Sequence, residues 1–288
     1  MLLPYFLQGE RPASLGGKAY EILRMKAGDA AVCLILFAYK VHPKYQLILA
    51  ANRDEFYNRP TSPAHYWDDH PNILAGRDLL KMGTWLGVTT TGRFAALTNY
   101  RNPKEESDGK RSRGELVADF LKGIKSPRVY ISEAADARES YPGYNLLAGD
   151  TNELYYYSNI EDKIRKLEPG IYGVSNHLLN TEWPKVKRGK AGLANILSES
   201  DDHLTARLFT LLYNTDPASD DLLPSTGVSL EWERLLSPIY IRSDSYGYGT
   251  RSSTVLLMTD EVIWFRERVY PREETKDRQF TINIRNRE

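Results

Sequence analysis

Cysteine occurs once in these 288 residues, as Cys33, and histidine only five times. One cysteine excludes an internal disulfide framework and fits a reducing compartment, so a cytoplasmic location is expected. No His-x-x-x-His or Cys-x-x-Cys spacing is present, and no metal site is expected. No apolar run approaches the roughly 18 residues of a membrane span, which argues against membrane insertion. An excess of charge is missing too: 38 lysines and arginines balance 38 acidic residues. Without a basic stripe, charge gives no support to a nucleic-acid or anionic-membrane partner. Repeats, long linkers and low-complexity segments are also lacking.

The first 31 residues, Met1 to Ala31, differ from the rest in mixing proline, glycine and charge with no sustained period. Gln8-Gly9-Glu10-Arg11 interrupts the opening hydrophobics, unlike a secretory signal. The segment is expected to be poorly ordered, and either a removable pro-segment or the result of a start codon read too early. The second reading is preferred. Val32 can be encoded by GTG, a bacterial start codon, and Gly28-Asp29 by a purine-rich ribosome-binding stretch. Residues 32–288 are then one domain.

What remains is rich in hairpin signals. Cys33 to Tyr39 and Gln46 to Ala51 flank His42-Pro43, and Thr84 to Thr90 and Arg93 to Asn99 flank Thr91-Gly92. Tyr144 to Gly149 pairs with Glu153 to Ser158, and Ser253 to Met258 with Glu261 to Arg268, each around a short polar turn. Phe280 to Ile284 is expected to close a sheet edge. Helices are predicted after Ser112-Arg113-Gly114-Glu115, which has capping-box spacing, after Ser126-Pro127, and over Glu182 to Leu197 and Asp202 to Tyr213. Hairpins with helices grouped between them predict an α+β layered domain rather than βαβ units. Pro103 to Lys110 and Asp216 to Leu223 read as mobile loops.

Cys33 opens its strand, and the polar block Asn52-Arg53-Asp54-Glu55 follows the partner run. With the turn centred near His42-Pro43, paired residue numbers sum to about 85, which sets Cys33 opposite Asn52 with Arg53 and Asp54 just beyond. A buried small hydrophobe is the plain alternative for such a thiol. The neighbouring guanidinium argues otherwise, because it favours thiolate and lowers a cysteine pKa. Were Val32 removed, the Cys33 α-amine would titrate at about 7.7–8.0, suited to a general base. Nucleophile and base would then share one residue, with no histidine needed. While Cys33 is joined to Val32 its nitrogen is an amide and no base, so the site is expected to be assembled but switched off.

Further motifs, in order, are Arg59-Pro60, Ala75-Gly76-Arg77-Asp78, Gly83-Thr84-Trp85-Leu86-Gly87, Leu97-Thr98-Asn99-Tyr100-Arg101 and Ser112-Arg113-Gly114. Tyr144-Asn145-Leu146-Leu147, Gly173-Val174-Ser175-Asn176 and Tyr248-Gly249-Thr250-Arg251-Ser252-Ser253-Thr254 complete them. From Val32 onward the chain resembles the NRDE family, also called the Transport and Golgi organisation protein 2 family. Its members typically begin Met-Cys, so Met1 to Ala31 is a departure from the pattern. The resemblance implies an N-terminal-nucleophile hydrolase fold, an αββα sandwich of two antiparallel sheets between helical layers. Comparison with cysteine-type amidases of that superfamily gives site roles to Cys33, Arg53, Asp54, Asn99, Asn176 and Arg251. Cys33 attacks a carbonyl, Asp54 orients its amine and Arg53 favours the thiolate. Asn99 or Asn176 donates to the oxyanion, and Arg251 balances charge or holds a substrate acid. Asn52, Glu55, Arg77 and Asp78 support them, with Glu55 against Arg53, Arg59 or Arg77, and Gly76-Arg77-Asp78 as a salt-bridged turn. The implied ligand is a small acyl-amide, with no cofactor. The alternative implied by eukaryotic relatives is a haem or hydrophobic-metabolite trafficking protein, with Cys33, His42, His65, His70 and His177 as candidate iron ligands.

Overall fold

A computed structural model describes residues 33–270 and 276–285 of the chain. The expected N-terminal extension and Val32 lie outside the described residues. In chain order the elements are β1 (Cys33–Tyr39), β2 (Leu47–Phe56), β3 (Thr61–Trp67), β4 (His70–Asp78), β5 (Leu86–Thr89), β6 (Phe94–Asn99), α1 (Gly114–Lys122) and α2 (Pro127–Asp136). There follow β7 (Tyr144–Gly149), β8 (Leu154–Ser158), β9 (Arg165–Lys166), β10 (Gly170–Val174), α3 (Pro184–Leu197), α4 (Leu204–Leu212) and α5 (Leu230–Leu235). The chain then forms β11 (Arg242–Ser243), β12 (Tyr248–Met258), β13 (Val262–Val269) and β14 (Lys276–Asn283).

The strands make two antiparallel sheets. One runs β10-β1-β2-β12-β13-β14, with β11 beside β12, and the other runs β3 to β9 in sequence order. Strand alternation decides what each face buries. Ile35, Phe37, Leu49 and Leu256 of the first sheet meet Leu74, Val88, Phe94 and Leu147 of the second. The opposite face of the first sheet, through Leu34, Leu36, Ile48 and Ala50, packs on Val186, Leu193, Leu208 and Leu212 of α3 and α4. The second sheet turns Ile73, Ala95, Leu146 and Tyr157 toward Val117, Phe120, Leu121 and Ile131 of α1 and α2. This is the expected αββα sandwich. Phe37 is fully buried, and burying one such side chain is worth about 1.5–3 kcal/mol.

Four expectations are corrected here. The first hairpin pairs Cys33 with Arg53 and Leu34 with Asn52, one residue away from the expected register. Lys40, at φ 51°, closes the turn with its amide bonded to the Gln46 carbonyl at 2.8 Å, which moves the turn's centre by half a residue. Asn52 to Glu55 do not follow β2 but lie inside it, where β12 supplies pairing on their other side. Gly76-Arg77-Asp78 is no turn: it ends β4, a strand that polar residues such as His70 and Asn72 hide from pattern reading. The capping box on α1 is half made, since Glu115 accepts from the Ser112 amide at 3.4 Å while no side chain caps the helix start. Helix α5, capped by Ser229, was not anticipated from the sequence.

Candidate functional site

At one end the two sheets part around a cavity of about 370 Å³. Cys33, Arg53, Glu55 and Arg251 reach it from the first sheet, and Arg77, Asp78 and Asn99 from the second. Because Cys33 and Arg53 are directly paired, their side chains share a face, and Glu55 falls on it two residues on. The one-residue change in register therefore decides which polar residues meet the thiol. Asn52 and Asp54 belong to the opposite face.

Along the cavity wall the charges form a chain. Arg53 lies 3.6 Å from Glu55, Glu55 lies 3.7 Å from Arg59, and Arg59 joins Asp78 at 2.6 Å. Glu55 therefore supports Arg53 and Arg59 but not Arg77. Arg77 instead grips Asp69 through two bonds of 2.6 and 2.7 Å and lies over the Trp67 ring. Arg53 is buried, and its Nη1 has no hydrogen-bond partner. Arg251 sits where the β12–β2 register shifts between Thr250 and Ser252. Such a bulge re-aims a side chain, and Arg251 Nη1 donates to the carbonyls of Phe56 and Arg59 at 2.9 and 3.0 Å.

Arg53 does not win the contest over the thiol. Burial, followed by the Asp54 charge, pushes Cys33 up to about 12, with Arg53 opposing less strongly. Cys33 is only 5% exposed, and removing a thiolate from water costs more here than one guanidinium returns. The expectation of a lowered thiol pKa is corrected accordingly.

Behind the strand, Asn52 Nδ2 donates to the carbonyls of Leu212 and Ile239, both at 2.9 Å, and its Oδ1 accepts from Ser253 at 2.6 Å. It ties the end of α4 to the sheet. Asp54 accepts from the Thr250 hydroxyl at 2.6 Å, while its Oδ2 is buried without a hydrogen-bond partner. Burial lifts Asp54 above the usual carboxylate range, opposed chiefly by the charge of Lys185. Nearby, Arg101 and Glu233 form a buried ion pair at 3.0 Å.

Asn99 and Asn176 are brought together, in different roles. Asn99 lines the cavity. Asn176 is 1% exposed and does not line it; its Nδ2 donates to the Asn99 carbonyl at 2.9 Å. Ser175, beside it, donates to the Cys33 carbonyl at 2.8 Å. Lys185, Ser175, Thr250, the Arg101–Glu233 pair and Glu267 were missed by sequence reasoning. Glu267 also lines the cavity and accepts from the Ala64 amide at 2.7 Å. Arg101, Ser175 and Thr250 stand inside the motifs above without a role assigned to them, whereas no local signal marks Lys185, Glu233 and Glu267, which lie on strands or helices distant in the chain from Cys33. Among the described residues no three His, Cys, Asp or Glu side chains gather in a metal-binding group. No helix among them is long and apolar enough to cross a membrane.

Comparison with known proteins gives these features a family. A model described as Transport and Golgi organisation 2 matches residues 32–271. The Transport and Golgi organization 2 homolog of Mus musculus is 34% identical over 279 residues, covering 87% of this chain and 99% of that protein. The Homo sapiens homolog is 35% identical over 260 residues, covering 82% and 92%. Among solved structures, the Caenorhabditis elegans N-acylethanolamine-hydrolyzing acid amidase ortholog aligns with a TM-score of 0.46 at 11% identity, over 78% of this chain and 92% of that one. A mutant of conjugated bile acid hydrolase from Clostridium perfringens gives 0.34 at 10% identity, over 85% and 83%. Structural likeness this slight says nothing about chemistry. The extent of the sequence match does decide the family: this chain belongs to the Transport and Golgi organisation 2 family.

Proposed function

We propose that the protein is a cysteine-type N-terminal-nucleophile amidohydrolase acting on a small acyl-amide, active when the Cys33 α-amine is free. The observation that carries this reading is the two-sided setting of Cys33. Its side chain shares the cavity with Arg53, Asn99 and Arg251, while Asp54 holds an unpartnered carboxylate oxygen on the far face of the next strand. The α-amine, oriented by Asp54, takes the thiol proton, and the thiolate adds to the amide carbon to give an oxyanion. Asn99 donates to that oxyanion, with Asn176 fixing its main chain, and one such donor is worth on the order of 3 kcal/mol. The α-ammonium returns its proton to the departing amine nitrogen. Water, deprotonated by the α-amine, then opens the thioester, releasing the acid and regenerating the thiol. Arg53 and Arg251 supply positive charge for thiolate, oxyanion or a substrate acid. The proposed setting is cytoplasmic, supported by the single reduced cysteine.

Haem trafficking has less support. It needs an apolar groove and an axial ligand, whereas the wall around Cys33 carries Arg53, Glu55, Arg59, Arg77 and Asp78, and no histidine among the described residues lines it. His42 bonds Asp201 and His177 bonds Thr181. A wall this charged favours a small polar ligand over haem, and no step is assigned to haem.

The test compares the chain starting at Cys33, its Cys33→Ser and Cys33→Ala variants, and the full chain. An acylating probe should add its acyl mass to Cys33 only when the amine is free, and Cys33→Ala should lose all turnover. No adduct and no turnover across a broad acyl-amide panel, with haem binding that survives Cys33→Ala, would retire the amidase reading.

A further inference from the structure

The turn between β4 and β5 holds three large apolar side chains out to solvent. Leu79 is 49% exposed, Leu80 58% and Met82 50%, with the exposed Lys81 among them. Single exposed leucines are ordinary on a protein surface, but three such side chains within four residues mark an interaction site. The tip is rigid. Asp78 Oδ1 accepts from the Leu80 and Lys81 amides at 2.8 and 3.0 Å, and the Asp78 carbonyl accepts from the Met82 amide at 2.8 Å. The Leu79 amide donates to the Pro60 carbonyl at 3.1 Å. Met82 stands at φ 57°, a left-handed conformation that suits glycine and strains a residue with a side chain. Apolar groups are thus held in water on a fixed backbone, so little ordering opposes docking.

The tip stands on the rim of the cavity, which Asp78, Lys81 and Gly83 line. Charge is uneven there: eight basic and four acidic residues line the cavity, although the whole chain is balanced. Lys110, Arg111 and Arg113, just before α1, are among them. Glu105 lies 3.5 Å from Lys110 and Glu115 2.9 Å from Arg111, whereas Lys81 makes no ion pair among the described residues. The size of the tip decides among partners. A stable protein interface covers about 800 Å² on each side, far more than three half-exposed side chains offer. A bilayer asks only for a few apolar groups at headgroup depth with cations beside them.

We propose that residues 79–82 form a membrane-docking tip: Leu79, Leu80 and Met82 enter the headgroup layer of an anionic bilayer while Lys81 meets its acidic headgroups. Docking turns the cavity mouth toward the lipid surface. It stands independently of the amidohydrolase reading, because none of these four residues takes part in that chemistry.

The test is co-sedimentation of the full chain with vesicles of phosphatidylcholine, alone or mixed equally with phosphatidylserine. Partition into the mixed vesicles should exceed that into phosphatidylcholine by about tenfold or more, since several cations approach an anionic leaflet. Leu79→Ser/Leu80→Ser/Met82→Ser should lose about tenfold or more of that binding, with an unchanged circular dichroism spectrum. Lys81→Glu should cost about tenfold on the mixed vesicles only. Leu80→Trp should gain fluorescence that brominated lipid quenches, beyond any quenching of the parent. Absent partition of the parent, equal partition into both vesicles, or undiminished partition of the triple or Lys81→Glu variant overturns the proposal. So does a parent dimer that binds neither vesicle and that the triple variant dissolves, which assigns the tip to a second copy of the chain.

Discussion

At the scale of single residues, the thiol of Cys33 shows how burial outweighs a neighbouring charge. Held at about 12, it exposes roughly a ten-thousandth of its population as thiolate at pH 8, against about a quarter for a free cysteine near 8.5. Iodoacetamide should therefore alkylate Cys33 of the folded full chain about a thousandfold more slowly than free cysteine at pH 8, read by mass spectrometry. Comparable rates would show that the thiol is not protected. The same shift predicts a pH effect on stability. A thiol pKa raised by folding contributes stability that is complete below the ordinary thiol range and lost as pH rises toward 12. The urea midpoint should accordingly fall above about pH 9, and more steeply in the parent than in Cys33→Ala. Equal slopes would contradict it. Neither effect could be read from Cys33 and Arg53 as neighbours in a pattern, because desolvation depends on what covers them.

Among the elements, β2 and α1 carry the site. Strand β2 presents Arg53 and Glu55 to the cavity and Asn52 and Asp54 to the helical layer, so a single extended run serves two environments. The bulge at Arg251 in β12 lets one sheet column turn a guanidinium onto the β2 end. Helix α1 is set by close backbone approach. A Cβ on Gly83 would stand 2.6 Å from the Gly114 carbonyl carbon, and the Thr84 amide bonds the Gly114 oxygen at 3.2 Å. Backbone on both sides cannot yield as a side-chain tip can. Gly83→Ala should cost about 1–3 kcal/mol, seen as a lowered urea midpoint at unchanged m-value. A neutral result would mean that the helix start can move. These glycines stood in the sequence as parts of Gly83-Thr84-Trp85-Leu86-Gly87 and Ser112-Arg113-Gly114, but their contact, across about thirty residues, was not legible.

For the whole molecule, the first sheet is closed by residues far apart in the chain. Strand β12 pairs with β2 from Tyr248↔Phe56 to Met258↔Leu47 and also holds β13. Its Leu256 and Val255 enter the two core layers on either side of the sheet. A chain ending at residue 240 loses this strand and leaves the β2 edge open. It should show no cooperative unfolding transition by circular dichroism. A cooperative transition would mean that the remaining layers fold without the sheet's centre. The site would be lost with the strand, since Thr250 and Arg251 belong to it.

The hairpins, the α+β layering and the neighbourhood of Cys33 and Arg53 were legible without a structure. Alternation, turn residues and helical spacing are local, and ordered motifs persist along the chain whatever its fold. Arg53 stands out from the pattern beside Cys33, whereas Asn99 and Arg251 do so only through the family resemblance, and all three line one cavity with Cys33. Tertiary structure alone decided the faces: the pairing of Cys33 with Arg53, the retreat of Asp54 and Asn176 from the cavity, and the burial of Lys185 behind the strand. One residue of register reverses every side chain on a strand, and the cost of burying a charge is set by groups that converge from distant segments.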